Sequence, residues 1–377
     1  LYYFWDGGRF LFSSEIKAIL EHAVSRILNR EAFHYYVRAL YVPEPLTMFH
    51  GIYKFPAGST ATLRGTTLAI KKYWDAPGEE KYTGGVEDAA KKLRTVVDSA
   101  VERQLISDRP LGVYLSGGID SSIVLDSVSR CRNTIDTFSV GFDLPETEER
   151  EKFNQDFHLA RRTAKHYGAR HHEVLLSADD ALAILEKSVW HLDEPIANPT
   201  TLPMFYLAEF AKKKADVVLG GDGGDEVFGG YKRYQLSRVA SYYQKIMPIT
   251  FRHFLSYNER FRKLNVPAGV ERYALFMFQK DDILRRAVQN EFLRFDINDF
   301  FRKQFFSVLD ARPFEERFME ADLQSWLRDE SFMMTDKMSM ASAVEVRVPL
   351  VDLEVVRFAE TLPLQFKVSP FNTKIIL

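Results

Sequence analysis

Cysteine is almost absent from this sequence. The 377 residues include a single one, Cys131, so no internal disulfide framework can form. We therefore expect a protein of the reducing cytoplasm. Within it, we expect Cys131 to be a small buried core residue.

An excess of charge of one sign is also missing. The chain has 50 basic and 52 acidic residues, a net charge of −2, and no long run of like charges. This balance argues against nucleic acid as a partner. No apolar stretch approaches the roughly 18 residues that span a bilayer, and the opening residues lack the pattern of a signal peptide. We expect small-molecule substrates and no membrane association.

The first part of the sequence is typical of β-structure. Hairpins are predicted around Asp6-Gly7-Gly8 and around Arg64-Gly65, because such pairs allow the positive φ of tight turns. A helix is predicted over residues 16–21. The chain lacks an initiator Met and opens in strand-like sequence, so we expect that it begins inside a domain. A polar segment with Pro and Gly predicts a linker at residues 76–84, after a first domain at residues 1–75.

From residue 85 to residue 377 the pattern changes. Helices are predicted at residues 86–105, 122–129, 157–166 and 204–214, and strands at 112–115, 137–142, 172–175 and 216–219. Strands that alternate with helices indicate an α/β fold, a parallel sheet with helices on both faces. Residues 240–330 show only helical patterns, so a mostly helical half follows.

A loop rich in glycine and serine follows the first of these strands and runs from Leu115 to Ser122. Its glycines allow the backbone to approach an anion closely, and Ser116, Ser121 and Ser122 add hydroxyl donors. Asp120 would repel bare phosphate unless Mg²⁺ lay between the two. The combination indicates a site for a magnesium polyphosphate.

Three other interpretations of this loop fail on its residues. A Walker loop needs Gly-Lys, which occurs nowhere in the chain. A hydrolase elbow needs glycine where Tyr114 stands, and a dinucleotide fingerprint needs glycine where Ser121 stands. A turn that merely happens to be rich in glycine and serine stays open as an alternative.

A second, acidic loop follows the fourth strand. Residues 220–230 contain six glycines, which weaken regular structure and so indicate a functional loop. Ligands of open α/β sheets bind beyond the carboxyl ends of the strands, where both loops lie. Asp225 is predicted to supply a second carboxylate to the metal, Asp222 to act as an acid or base, and Glu226 to be structural. A calcium loop or a plain flexible loop is the alternative, but the ligand spacing of an EF-hand is missing.

A leaving pyrophosphate would need a cation to stabilise its charge. The candidate is Lys337, which stands in a weakly charged, Met-rich stretch. A solvated surface lysine is the commoner outcome. His171 and His172 point to opposite faces of a strand, so we expect structural roles for them and no shared metal.

These residues resemble the synthetase domain of the glutamine-dependent asparagine synthetases, and the resemblance covers nearly the whole chain. The matching motifs are residues 116–122, 137–142, 171–173, 193–195, 220–231, 336–337 and 345–352. The resemblance implies an adenine nucleotide alpha hydrolase-like fold. It also implies a carbon–nitrogen ligase that adenylates the aspartate β-carboxylate with ATP and releases pyrophosphate. Ammonia from glutamine then displaces AMP to give asparagine.

The resemblance also implies a role for each candidate residue. The ATP phosphates would be bound by the first loop, through Ser116, Gly117, Gly118, Asp120, Ser121 and Ser122. Adenosine would be framed by backbone groups around Leu115, Val140 and Gly221. Asp120 and Asp225 would bind Mg²⁺, and Lys337 would stabilise the pentavalent phosphorus. The family often has Glu where Asp222 stands, and the related β-lactam synthetases have Tyr there, so Asp222 argues against ring closure.

Residues 1–75 resemble the tail of the family's glutaminase domain, through residues 14–18 and 55–58. Glutaminase chemistry in the family needs an N-terminal cysteine, and this chain starts with Leu1. We expect that this chain alone does not hydrolyse glutamine, whereas the full-length protein does. A homodimer is a further expectation.

Two rival hypotheses stay open. One is an ATP pyrophosphatase that acts on another acceptor, such as a tRNA base or a different carboxylate. A tRNA enzyme should carry an excess of basic charge, which the chain lacks. The other is a non-catalytic scaffold, which would be free to lose Asp120, Asp225 or Lys337, and none of them is lost.

Overall fold

The chain folds into two compact units, and neither is built from one continuous segment. The computed structural model describes residues 1–74, 80–145, 148–307, 310 and 312–377. The first unit comprises Leu1–Gly78, Asp193–Ala197 and Val239–Glu330. The second comprises Glu79–Leu192, Asn198–Arg238 and Ser331–Leu377.

Antiparallel strands open the first unit. The strands are β1 (Tyr2–Trp5), β2 (Phe10–Ser13), β3 (Ile52–Lys54), β4 (Ser59–Arg64) and β5 (Thr67–Lys72), and the helices between β2 and β3 are α1 (Ile16–Leu20) and α2 (Arg30–Ala39). The first three strands form a sheet in the order β2-β1-β3, and β4 pairs with β5. Tyr2, Ile16 and Ile52 belong to the core of this part. Both predicted hairpins and the predicted helix are confirmed.

The rest of the first unit is helical, as predicted for this part of the sequence. Its helices are the end of α10 (Lys232–Ile246), then α11 (Ile249–Leu255), α12 (Glu259–Leu264), α13 (Val270–Met277), α14 (Asp281–Ala287), α15 (Ile297–Phe305) and α16 (Phe314–Ala321). A π-helical stretch, Asp322–Phe332, follows α16. Aromatic rings form the core, in which the ring of Tyr273 lies 4.9 Å from that of Phe318 and 5.2 Å from that of Phe301.

A five-stranded parallel sheet forms the centre of the second unit. Its strands are β6 (Leu111–Tyr114), β7 (Asp136–Phe142), β8 (Arg170–Leu176), β9 (Val217–Leu219) and β10 (Glu345–Arg347). Their order is β10-β9-β6-β7-β8, and all four pairings are parallel. From β6 the chain adds β7 and β8 on one side of the sheet, and then β9 and β10 on the other side of β6. The order in which strands are added therefore switches sides between β6 and β9. In open α/β sheets such a switch point is where ligands bind.

Helices cover this sheet. They are α3 (Val86–Gln104), α4 (Ile119–Cys131), α5 (Glu148–Phe153), α6 (Gln155–His166), α7 (Ala178–Leu192), α8 (Thr201–Ala211), α9 (Gly224–Phe228), α17 (Met333–Met340), α18 (Leu353–Thr361) and α19 (Leu364–Lys367). The crossovers through α4 and α6 run in one direction across the sheet, and the crossover through α8 runs in the other. Right-handed crossovers place these helices on opposite faces. The predicted α/β fold class, with a mostly helical half and an N-terminal β-rich part, is confirmed.

Two details differ from the predictions. Helix α4 begins at Ile119 rather than at residue 122, so Asp120 belongs to its first turn. Cys131 is exposed, so the prediction of a buried core residue is wrong. It is the last residue of α4 and lies beyond the turns that bury Val124 and Val128, so solvent reaches it.

Two further predictions concern the whole chain. The linker predicted at residues 76–84 lies partly outside the described residues, and the domain division there stays a prediction. No helix among the described residues is both long and apolar enough to cross a membrane.

The sheet core gives a stability prediction. Phe138 is 0% exposed and packs in a cluster with Tyr114 and Val218. We expect Phe138→Ala to lower the free energy of unfolding by about 3–5 kcal/mol, because it removes a buried ring and leaves a cavity. The matched control is Phe371→Ala, at a side chain that is 86% exposed, and it should change stability by less than about 0.5 kcal/mol. Denaturant unfolding measures both, and equal effects would contradict this core assignment.

Candidate active site

The two glycine-rich loops leave the sheet at the same edge. Val113 of β6 is paired with Leu219 of β9 in the parallel register. Leu115 and Gly221 each lie two residues beyond this pair, so the two loops start side by side at the carboxyl ends of their strands.

The third residue predicted to frame adenosine lies at this edge too. Tyr114 of β6 is paired with Phe138 of β7. Val140 is two residues further along β7, and it is therefore level with Ser116 of the first loop. Residues predicted from separate parts of the sequence are thus brought to one edge of the sheet.

The serine side chains of the first loop make hydrogen bonds within that loop. The N–H of Ser116 donates to Oγ of Ser121 at 3.2 Å, and the N–H of Gly118 donates to Oγ of Ser116 at 3.2 Å. The hydroxyl of Ser122 donates to the carbonyl oxygen of Gly118 at 2.8 Å. Gly118 is the N-cap of α4, and no side chain caps this helix end. The N–H groups of the first turn of α4 are therefore directed to the loop mouth, where an anion can bind them.

The second loop packs directly against the start of α4. A methyl group on Gly221 would lie 2.6 Å from the backbone nitrogen of Ser121, and one on Gly224 would lie 2.5 Å from Cγ of Asp120. Non-bonded carbon atoms normally pack at about 3.5–4.0 Å. Only glycine lets the two loops approach this closely.

A lysine that the sequence did not suggest joins the two predicted metal ligands. Nζ of Lys374 lies 2.5 Å from Oδ2 of Asp120 and 2.8 Å from Oδ1 of Asp225. Burial acts to lower the pKa of Lys374, but the two carboxylates raise it on balance, so the ammonium stays charged. Burial raises the pKa of Asp120, and Lys374 opposes that rise. The structure joins Asp120 and Asp225 through an ammonium group, and their predicted binding of Mg²⁺ stays a prediction.

Asp222 has different surroundings. A methyl group on Gly220 would lie 2.9 Å from Oδ2 of Asp222, so the carboxylate folds back over the end of β9. Burial, together with the negative charge of Asp120, raises the pKa of Asp222 to about 6. A carboxyl group with such a pKa exchanges its proton near neutral pH, which suits an acid or base.

The other predicted residues have the following positions. Lys337 is buried on α17, at 8% exposure, in the second unit, and its role as a phosphate clamp stays a prediction. Oε1 of Glu226 accepts a hydrogen bond from the hydroxyl of Tyr231 at 2.8 Å, in agreement with a structural role. His171 contacts Thr137 at 2.8 Å, and His172 contacts Asp136 at 2.7 Å. The two histidines have separate partners, as expected for structural residues.

Lys374 is the residue that sequence reasoning missed. It stands in the segment Thr373-Lys374-Ile375, whose residue types resemble many other apolar stretches with a single lysine. Its partners are remote in sequence, so no local spacing could have indicated it. Only the fold brings it to both loops.

The residues present fit a magnesium ion. Oδ1 of Asp120 is buried and has no hydrogen-bond partner among the described residues, so a carboxylate oxygen is left for a ligand. Over all the residues that the structure describes, no group of three or more His, Cys, Asp or Glu side chains could hold a metal by itself. Mg²⁺ in nucleotide sites typically takes one or two carboxylates and completes its shell with phosphate oxygens and water. Asp120 and Asp225 match that donor set.

The chain belongs to the asparagine synthase family, which matches residues 92–377. The glutamine amidotransferase domain family matches residues 1–74. The predicted family is therefore confirmed.

Individual relatives agree with this assignment. The chain is 28% identical to asparagine synthetase [glutamine-hydrolyzing] 1 of Bacillus subtilis, over 100% of this chain and 60% of that protein. It is 30% identical to a putative asparagine synthetase [glutamine-hydrolyzing] of Mycobacterium tuberculosis, over 93% of this chain and 55% of that protein. The chain thus spans little more than half the length of these curated relatives. A solved NH3-dependent NAD synthetase from Campylobacter jejuni is 13% identical, with a TM-score of 0.28 over 60% of this chain and 100% of that one.

The close approach of the loops gives a test of the site. We expect Gly224→Ala to weaken binding of ATP with Mg²⁺ by roughly tenfold or more, because the added methyl group would displace the carboxylate of Asp120. In the control, Gly85→Ala, the added methyl group meets nothing within 4 Å, so ATP affinity should not change. Titration calorimetry measures the affinities, and circular dichroism checks that both variants fold. Unchanged affinity in Gly224→Ala would contradict the assignment of this site.

Proposed function

We propose that the protein is an ATP-dependent amide synthetase that adenylates a carboxylate, with aspartate as the substrate, and transfers ammonia to it. The observation that carries this proposal is the convergence of two loops on Lys374, beside an uncapped helix end. The site combines an anion-binding backbone, two carboxylates and a partly buried cation. A nucleotide triphosphate with its metal needs these three elements.

In the first half-reaction, a carboxylate oxygen of the substrate attacks the α-phosphorus of ATP, and the bond to pyrophosphate breaks. Backbone N–H groups of the first turn of α4, at the mouth of the first loop, bind the phosphates. Asp120 and Asp225 would hold Mg²⁺, which neutralises part of the triphosphate charge. Lys374 is poised to pair with the departing pyrophosphate, since its ammonium already lies at the loops and stays charged. Lys337 is the alternative clamp.

In the second half-reaction, ammonia attacks the acyl carbon of the adenylate. A carbon–nitrogen bond forms, the bond to the phosphate oxygen of AMP breaks, and one proton must leave the nitrogen. Asp222 is the group that we assign to accept this proton, because its carboxyl group lies beside the loops and its pKa is about 6. Amide and AMP are the products, and ammonia would come from glutamine in the full-length protein.

The choice of aspartate rests on the family and on its relatives, which are named asparagine synthetases. Another carboxylate acceptor is the second candidate. The feature that favours it is Asp222, which is one methylene shorter than the Glu that the family often carries there.

Substrate-dependent pyrophosphate exchange tests the first half-reaction. We expect ATP–pyrophosphate exchange to depend on aspartate and to be much weaker with other carboxylic acids, among them glutamate. Exchange that requires a different acid would support the second candidate. Exchange with none of the acids would overturn the proposed activity.

The same assay tests the proposed clamp. We expect Lys374→Met to lower exchange by roughly a hundredfold, as for the loss of one group that stabilises developing charge. Lys337→Met tests the alternative clamp. Lys187→Met, at an exposed lysine of α7, is the control and should leave exchange unchanged. A loss in Lys337→Met alone would assign the clamp to Lys337.

The pKa of Asp222 predicts how amide formation depends on pH. A base works only when deprotonated, so the rate should be level above about pH 6 and fall by roughly tenfold per pH unit below it. Asp222→Asn should lose most of the rate and this acid limb. The measurement is amide formation from preformed adenylate, with the concentration of unprotonated ammonia held constant. An acid limb that persists in Asp222→Asn would show that another group titrates.

A further inference from the structure

Tyr114 carries a buried hydroxyl group that the proposed chemistry has not used. The residue ends β6 directly before the first loop and is 7% exposed. Its oxygen is buried, and no hydrogen-bond partner for it is found among the described residues. A buried hydroxyl without a partner costs free energy comparable to a lost hydrogen bond, so such groups are rare and need an explanation.

The ring of Tyr114 lies among apolar side chains. Tyr114 packs in an apolar cluster with Phe138 of β7, Val218 of β9 and Leu207 of α8. The side chains of Tyr114, Phe138 and Val218 lie on one face of the sheet, because alternate residues of a strand point to the same side. Polar side chains stand beyond this cluster, at the carboxyl edge of the sheet, where the loops begin.

Asp222 lies at that position. The register that pairs Val113 with Leu219 makes Tyr114 the neighbour of Gly220 on the adjacent strand. Oδ2 of Asp222 lies 2.9 Å from the position that a Cβ atom on Gly220 would take. The carboxylate therefore covers the side of Gly220 on which a side chain would stand. This is the face on which Val218 and Tyr114 lie. Burial raises the pKa of the Tyr114 hydroxyl, and the charge of Asp222 raises it further, so the two groups interact electrostatically.

We propose that Tyr114 is a positioning residue, whose hydroxyl, unpartnered among the described residues, donates a hydrogen bond to the carboxylate of Asp222 when that carboxylate turns toward the nitrogen that attacks the acyl-adenylate. This inference rests on the proposed function. Tyr114 exchanges no proton itself. The nitrogen loses its proton to Asp222, the new carbon–nitrogen bond forms, and AMP leaves with the electron pair of the broken bond. The hydroxyl only holds the accepting oxygen in place.

Tyr114→Phe isolates this role, because it removes one oxygen atom from a buried ring and keeps its packing. We expect ammonia-dependent amide formation to fall by roughly tenfold, the range for a hydrogen bond to a charged group. Aspartate-dependent ATP–pyrophosphate exchange should stay at the wild-type rate, because Asp222 acts after adenylation. A merely structural defect would lower both half-reactions together. The protein is used with its complete encoded sequence and with ammonium chloride as the nitrogen source.

A double variant tests the link to Asp222. If Tyr114 acts through this carboxylate, Tyr114→Phe combined with Asp222→Asn should be no slower than Asp222→Asn alone. The control is Tyr167→Phe, which also removes a tyrosine hydroxyl that donates to an aspartate, Asp126, at 3.2 Å. This control should leave both half-reactions unchanged.

The outcomes separate the two proposals. Equal amide formation in Tyr114→Phe and wild type would overturn the positioning role while the proposed function stands. Additive losses in the double variant, or a parallel loss in both half-reactions, would also overturn it. A wild-type protein without carboxylate-dependent exchange would overturn the proposed function and this inference together.

Discussion

The ammonium of Lys374, held between the carboxylates of Asp120 and Asp225, is the interaction on which the rest of the site depends. Three segments that are remote in sequence meet at this point: the start of α4, the loop after β9 and the last residues of the chain. Partly buried carboxylates facing one another without a cation would repel and be costly to desolvate. The glycines of the second loop are a consequence, because a side chain on Gly224 would occupy the space of the Asp120 carboxylate.

Burial raises the pKa of both Asp120 and Asp222, but the two carboxylates have different neighbours. Asp120 is paired with a cation that opposes the effect of burial, whereas Asp222 is folded back over the apolar face of the sheet. Pairs of titratable groups whose environments push their pKa values apart are typical of sites that need both a charged ligand and a proton acceptor. The proposed division of work, with Asp120 at the phosphates and Asp222 at the ammonia nitrogen, follows this difference.

The parallel sheet explains how residues from separate loops reach one site. All five strands are parallel and end at the same edge, so every loop that follows a strand adds its polar groups to one place. The serines of the first loop satisfy one another, which leaves the N–H groups of α4 for a ligand. Family membership agrees with this arrangement, and the first unit carries the part that matches a glutamine amidotransferase domain.

The sequence by itself determined the local features: the hairpins, the alternation of strands and helices, and the two loops with Asp120 and Asp225. Such features follow from residue spacing and backbone preference, which act over a few residues. Only the tertiary structure decided which cation joins the two carboxylates, that Asp222 folds back over β9, and that Cys131 lies beyond the core. These outcomes depend on contacts between residues far apart in the chain, and no local pattern encodes the partner of a charge. The same reason explains why sequence reasoning selected Lys337 and overlooked Lys374.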